Sequence, residues 1–303
     1  MSSYNFVQLD VFTRTAFAGN PLAVFPDGHG LSDQQMQAIA REMNLSETTF
    51  IFPRKPEEER QKGARVRIFT VAEELPFAGH PTLGTALYLY STSDPAKPPE
   101  ELVLDLKVGR VPVRFRPDSA DAGKTRVDGA VFGEMRQRDP NFGPMLEREK
   151  VASALRIKVE EISAEWPIQV VSTGLPFAIL PLRDGDALAR IKFNPADAES
   201  ILDGTDAKFF YLLSAEKGSG EVRARMLFYG GEDPATGSAA GCAASWLVRH
   251  GIVPSDREIL VRQGVEAGRP SEITVRASKE GDRITNVRVG GRAIEVLRGT
   301  LQI

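Results

Sequence analysis

Two short stretches place side chains that can move protons beside backbone that can hold an anion. His80-Pro81-Thr82-Leu83-Gly84-Thr85-Ala86 and Asp233-Pro234-Ala235-Thr236-Gly237-Ser238-Ala239 share the pattern [HD]-P-x-x-G-[ST]-A. Each reads as the opening of a helix with proline at its first position. The unpaired N–H groups and partial positive charge of a helix start suit a small carboxylate. Gly, Ser and Thr let that ligand come close to the backbone. Asp233 taken alone is also simply a good N-cap, with Glu232 beside it favouring the same helix end. His80 is not a favoured cap, and a helix N-terminus disfavours the imidazolium. A neutral ring, fit to hydrogen-bond or relay a proton, is expected there.

Glu47, in "NLSETTFIF", lies between an expected helix and an apolar strand. Burial against that run would suit a carboxyl to acid/base work. The usual reading of a Glu there is an exposed strand-edge charge, and composition does not rank it above Glu73, Glu74 or Glu232. Cys242, the only cysteine, falls about two turns into the second helix and reads as a buried small hydrophobe rather than a nucleophile. One cysteine cannot supply the opposed thiols of a two-thiol racemase, nor an internal disulfide or thiolate-rich metal site. His29, His80 and His250 are the only histidines, so no metal site is expected. No dinucleotide, Walker or nucleophile-elbow motif occurs. Arg269, in the glycine-bounded "QGVEAGRPS", reads as a contact to substrate or to a partner subunit, or as part of a plain hairpin turn.

Strand-like runs must position these residues. "YNFVQLDVF", "ARVRIFT", "ELVLDLK", "VPVRFRP", "PIQVVST", "FAILPL", "FFYLL", "EVRARMLF", "EILVRQG", "EITVRA" and "AIEVLRG" are rich in β-branched and aromatic residues, several in alternation. The arginines of "VRFR" and "VRAR" read as solvated edge charge. Helices are fewer. "LSDQQMQAIAREMN" opens on a capping box, Ser32 with Gln35, and Asn44 fits its end. The helix from Pro234 closes at Arg249, His250 and Gly251. "EREKVASALRI" and "PADAESILDG" read as shorter helices.

The halves repeat. Besides the two helix openings, "AGNPLAVF" from Ala18 matches "TGLPFAIL" from Thr173, and "RVRIF" from Arg65 matches "RARML" from Arg223, in the same order and at nearly one spacing. The reading is an α/β (α+β) protein of two pseudo-repeated lobes, residues 1–120 and 121–290, with the boundary in the polar loop near residue 120. If the lobes face each other, both helix starts point at one cleft, which would take a small anionic substrate. The chain has 303 residues, 42% of them hydrophobic, enough for a substantial core, and 38 basic against 41 acidic residues. That balance gives no reason to expect nucleic acid or membrane as partner. With neither a membrane-length apolar run nor a signal-peptide layout, a cytoplasmic location is expected.

"FAGNPLAVF", "MNLSETTFIF", "ELPFAGHPTLGTA", "STGLPF", "EDPATGSAAG" and "QGVEAGRPS" together resemble the phenazine-biosynthesis PhzF-like proteins, in order and from about residue 7 to the C-terminus. The resemblance implies a diaminopimelate epimerase-like fold, each lobe a curved mixed sheet around a central helix, with the last strand, residues 291–303, returning to the first lobe. It implies a cofactor-free isomerisation of a small carboxylated, cyclic amino-acid-like substrate. By motif position Glu47 is similar to the glutamate that carries the proton. His80 and Asp233 match its polar partners, and Gly79, Gly237 and Ser238 match donors around the substrate carboxylate. A homodimer is implied as well. The alternatives kept open are an amino-acid racemase or epimerase and a non-catalytic protein that binds a small metabolite.

Overall fold

Runs of Val, Ile and Phe that alternate with polar residues satisfy the two faces of a half-buried strand, and strands dominate the computed structural model of the protein. It describes residues 2–119, 126–228 and 231–303. The chain opens with β1 (Ser3–Val11), β2 (Asn20–Phe25), α1 (Asp33–Met43), β3 (Glu47–Phe52), α2 (Pro56–Lys62) and β4 (Ala64–Phe69). There follow β5 (Glu74–Leu75), α3 (Gly79–Ser91), β6 (Glu101–Leu106), β7 (Gly109–Pro117) and β8 (Val131–Arg136). Next come β9 (Asn141–Leu146), α4 (Arg148–Leu155), β10 (Ile168–Ser172), β11 (Pro176–Pro181), α5 (Gly185–Arg190), α6 (Glu199–Leu202), β12 (Phe210–Ala215) and β13 (Glu221–Phe228). The chain closes with β14 (Gly231–Glu232), α7 (Gly237–Arg249), β15 (Ile259–Gln263), β16 (Ser271–Glu280), β17 (Arg283–Gly291) and β18 (Ala293–Gln302). Two compact units result, residues 1–135 with 290–303, and residues 136–289. The loop near residue 120 that the sequence offers as a boundary includes 120–125, which lie outside the described residues.

In the first unit β18 lies antiparallel to β1 and β1 to β2; β2 is parallel to β3, β3 antiparallel to β4, β4 parallel to β6, and β6 antiparallel to β7. The sheet wraps α3, which packs on β1, β2, β3 and β6. Every residue of α3 except Leu89 is buried, as a helix apolar all round requires. Gly84 permits the contact: a Cβ there would stand 2.7 Å from methyls of both Leu22 and Val11. On the other face of the sheet α1 sets Met36 and Ile39 against Phe25, Phe50 and Phe69. Its capping box and left-handed Asn44 end are those the sequence announces.

The second unit repeats these pairings. β10 is antiparallel to β11, β11 parallel to β12, β12 antiparallel to β13, β13 parallel to β15, and β15 antiparallel to β16. Its central helix α7 packs on β10, β11 and β16 and is buried except at Ser238 and Arg249. α4 and α5 set Val151, Leu155 and Leu188 against Val170, Leu180 and Leu212. The three sequence matches fall on equivalent elements, β2 with β11, β4 with β13 and α3 with α7.

A second duplication emerges from side chains. Arg67 on β4 grips Glu74 on β5 with two hydrogen bonds of 2.8 and 2.9 Å. Arg225 on β13 grips Glu232 on β14 with two of 2.9 and 2.7 Å. In each unit a bidentate ion pair pins the short strand that leads into the central helix. This corrects the reading of "VRAR" as solvated charge. Arg225 is buried, because Glu232 neutralises it and the carbonyls of Leu188, Ala189 and Ile191 take its remaining donors. The helix starts also differ from expectation. α3 begins at Gly79, so His80 is inside the helix, whereas α7 begins only at Gly237, with Thr236 as N-cap. The Asp233 carbonyl, which a helix started at Pro234 would use internally, is taken instead by the side chain of Gln263 at 2.8 Å. α2 escapes sequence reading because it buries no residue and so has no apolar stripe.

Candidate active site

In the first unit three neighbouring elements converge on one pair of groups. β3 opens with Glu47, paired in register with Leu22 of the parallel β2. Strand alternation puts Glu47 and Thr49 on the face toward α3, and Thr48 and Phe50 on the other. Thr49 and Thr85 of α3 are fully buried, with hydroxyls 2.9 Å apart, and so clamp strand to helix. The first turn of α3 then carries His80 to Glu47, Nε2 standing 3.3 Å from Oε2, with side chains only 6% and 15% exposed.

Burial, opposed weakly by a hydrogen bond to the Pro21 carbonyl, pushes the His80 imidazole down to about 3. The ring is therefore neutral near pH 7. Nε2 makes no aligned hydrogen bond, so Nδ1 carries the bond to Pro21 and holds the ring's proton. The Nε2 lone pair is left facing the Glu47 carboxyl. A proton taken up by that carboxyl would find the lone pair 3.3 Å away. Gly79 is the buried first residue of α3, whose N-terminus has no side-chain cap.

In the second unit Asp233, Gly237 and Ser238 share the lead-in and first turn of α7. The Thr236 hydroxyl donates to Asp233 Oδ2 at 2.6 Å, and the Asp233 N–H donates to the Met226 carbonyl at 2.9 Å. Gly237 is buried and Ser238 half-buried. Three residues that sequence reasoning missed surround this segment: Gln263, Tyr211 and Thr236 itself, all buried. Only the "QG" opening of "QGVEAGRPS" hinted at them. Gly264 has φ +76°, and its missing side chain lets the end of β15 press against Pro234. The rest of that loop is a tight turn in which the Arg269 N–H meets the Gly264 carbonyl at 2.9 Å and Glu266 grips Arg223 at 2.6 Å.

Cys242 is fully buried, and burial pushes its thiol up to about 11. Its sulfur stands 3.5 Å from the Thr173 hydroxyl, which donates to Gln137 at 2.6 Å. It is a packed side chain, not a nucleophile. No cluster of three or more metal-ligating side chains occurs among the described residues. A groove of about 830 Å³ in the first unit, lined by Tyr4, Asp27, His29 and Arg298 among others, includes neither Glu47 nor His80. Chemistry, not cavity size, therefore marks the Glu47–His80 pair as the candidate site.

Residues 9–299 match the model of a family described as phenazine biosynthesis-like protein. The chain is 36% identical over 300 residues to trans-2,3-dihydro-3-hydroxyanthranilate isomerase of Pseudomonas aeruginosa, covering 98% of each chain. It is 35% identical to an uncharacterized isomerase of Mesorhizobium japonicum over the whole of both. Among solved structures, a PhzF-family phenazine biosynthesis protein of Bacillus anthracis has a TM-score of 0.84 at 24% identity, with both chains fully covered. A protein described as a predicted epimerase of Pseudomonas aeruginosa has a TM-score of 0.79 at 32% identity over 99% of each chain. A hydroxyproline epimerase from Agrobacterium vitis shares the fold alone, with a TM-score of 0.62 at 10% identity over 99% of this chain and 92% of its own. The expected epimerase-like α/β fold is borne out.

Proposed function

Since the chain belongs to the phenazine biosynthesis-like PhzF family, we propose that it moves a proton, without a cofactor, on a small carboxylated cyclic substrate of the kind its named relatives isomerise. The chain is an isomerase; the proposal concerns its substrate and its residues. The observation that carries it is the shielded Glu47–His80 pair, 3.3 Å apart. Glu47 takes a proton from one ring carbon. The electron pair of the broken C–H bond passes into the substrate's π-system, and the same proton returns to a different carbon. His80, neutral and fixed by Pro21, orients the Glu47 carboxyl by accepting a hydrogen bond from it once Glu47 is protonated. Asp233 assists the transfer. Gly79, Gly237 and Ser238 hold the substrate carboxylate, as donors at helix starts suit an anion.

The test uses trans-2,3-dihydro-3-hydroxyanthranilate in deuterium oxide, followed by NMR. The proposal expects turnover, with any deuterium appearing at a ring carbon that gains a hydrogen. Exchange with inversion at a stereocentre, without a shifted double bond, would make the enzyme an epimerase instead. The proposal further takes the enzyme to be a cytoplasmic homodimer, for which sedimentation equilibrium checks the assembly. No helix among the described residues is long and apolar enough to cross a membrane.

A further inference from the structure

The Gln263 side chain is fully buried and makes four hydrogen bonds around the lead-in to α7. Its Oε1 accepts from the Tyr211 hydroxyl at 2.9 Å and from the Thr236 N–H at 3.2 Å. Its Nε2 donates to the Asp233 main-chain carbonyl at 2.8 Å and to Thr236 Oγ1 at 2.9 Å. An amide oxygen only accepts and an amide NH2 only donates. With a main-chain N–H on one side and a main-chain carbonyl on the other, one orientation of the amide is satisfied and the flipped one is not. Tyr211 supports the same choice. Burial, then the charges of Asp233 and Cys242, push its hydroxyl above its usual range, so it stays protonated and donates.

A direction follows for the next bond. Gln263 Nε2 already supplies the proton in its contact with Thr236 Oγ1, so the Thr236 hydroxyl proton has to point elsewhere. Asp233 Oδ2 stands 2.6 Å away and receives it. A threonine hydroxyl left to itself would serve a protonated carboxyl as acceptor just as well. With Gln263 Nε2 fixed as a donor to Oγ1, the hydroxyl proton is turned toward Asp233, which favours the ionised carboxylate and fixes its rotation.

We propose that Gln263 is a positioning residue for Asp233, acting through Thr236 to keep that carboxylate an ionised, oriented acceptor. The role of Asp233 itself rests on the function proposed above. The Gln263–Thr236–Asp233 chain lies within one unit and needs no substrate to exist, so it is open to measurement by itself.

The experiment follows the side-chain carboxyl carbon of Asp233 by NMR in the full-length protein labelled with 13C-aspartate, the signal being identified by its loss in Asp233→Asn. In Thr236→Val the donor is gone. In Gln263→Glu an acceptor oxygen replaces the NH2 and draws the Thr236 hydroxyl away from Asp233, at nearly unchanged volume. Both variants should titrate Asp233 at a pH higher by about one unit or more, the size of a lost hydrogen bond to a charged group. Thr236→Ser, which keeps the hydroxyl, should restore the wild-type midpoint. Should Thr236→Val fail to fold, Gln263→Glu carries the same expectation. An unmoved midpoint in folded Thr236→Val or Gln263→Glu overturns the inference. Turnover of trans-2,3-dihydro-3-hydroxyanthranilate by Asp233→Asn separates the two claims. If that variant stays fully active while the midpoints shift, the positioning chain stands and the catalytic reading of Asp233 falls. If it is inactive while the midpoints stay put, the positioning chain falls alone.

Discussion

Oε2 of Glu47 and Nε2 of His80 stand 3.3 Å apart, on a strand and a helix that the Thr49–Thr85 hydroxyl contact holds together. A neutral imidazole in that position sets a hydrogen-bond acceptor beside the carboxyl without placing a competing positive charge there. This is the arrangement a group needs if it must both take and return a proton. The carboxyl is a competent carrier only while its neighbour stays neutral, and burial of His80 ensures that.

Glu47→Gln keeps shape and removes the carrier. Turnover should fall by about 10² to 10⁴, the usual weight of a general acid–base group. Binding of a substrate analogue, measured by calorimetry, should change only a few-fold. Full activity in this variant would assign the proton transfer to another residue.

His80 predicts an acid weakness with a definite sign. Its folded pKa, about 3, lies below the usual 6.5. Between those values the unfolded chain binds more protons than the folded one, so stability is full above pH 6.5 and is lost as pH falls toward 3. Thermal unfolding from pH 7 to 4 should show a Tm decline that is several degrees shallower in His80→Asn. An identical decline in both proteins would mean that His80 is not buried neutral.

Arg225 and Glu232 are only 7% and 12% exposed. Arg225→Leu leaves that carboxylate and three main-chain carbonyls without their donor. The expected cost is about 3 to 5 kcal/mol by urea denaturation, as for other broken buried pairs. The equivalent Arg67→Leu should cost less, because the Arg67 side chain is 18% exposed and one of its partners, Asp33, is 80% exposed.

Two glycines of the Arg269 turn provide a contrast. Gly268, at φ +72°, has open space where a Cβ would lie, so Gly268→Ala pays backbone strain alone, about 1 kcal/mol. Gly264→Ala adds overlap with the carbonyls of Arg269 and Pro234, which are backbone and cannot step aside. It should cost about 3 kcal/mol and, by moving Pro234, reduce turnover too. Equal Tm values for the two variants would contradict this packing.

Cys242 should resist alkylation in the native protein at pH 8, since its thiol is buried and titrates near 11. Labelling should appear only after denaturation. Cys242→Ala should retain catalysis. Loss of turnover without loss of fold would instead favour a thiol-based epimerase.

Much of this was legible in local sequence. The capping box at Ser32 and the left-handed stop at Asn44 involve residues within one helix, so their chemistry is complete in a few positions. The repeat was legible because its matched motifs occupy the same strands and helix of each unit, where the same packing demands recur. Glu47 was not distinguishable from other glutamates by its own surroundings in the chain; only the family resemblance singled it out. Arg225 was misread because its partner Glu232 and its carbonyl acceptors come from other elements. Gln263 was passed over because a glutamine at a strand end carries no signal until its four partners are assembled.

The sequence by itself determined the kinds of element, the duplicated plan and the segments that bear His80 and Asp233, since these follow from periodicity, caps and repeated motifs over short spans. Only the tertiary structure decided that α3 starts before His80 and α7 after Asp233. It alone brought Glu47 within reach of the His80 ring and supplied burial as the main cause of that ring's expected neutrality. Those outcomes depend on desolvation and on hydrogen-bond partners distant in the chain, quantities that exist only once the strands have closed around their helices.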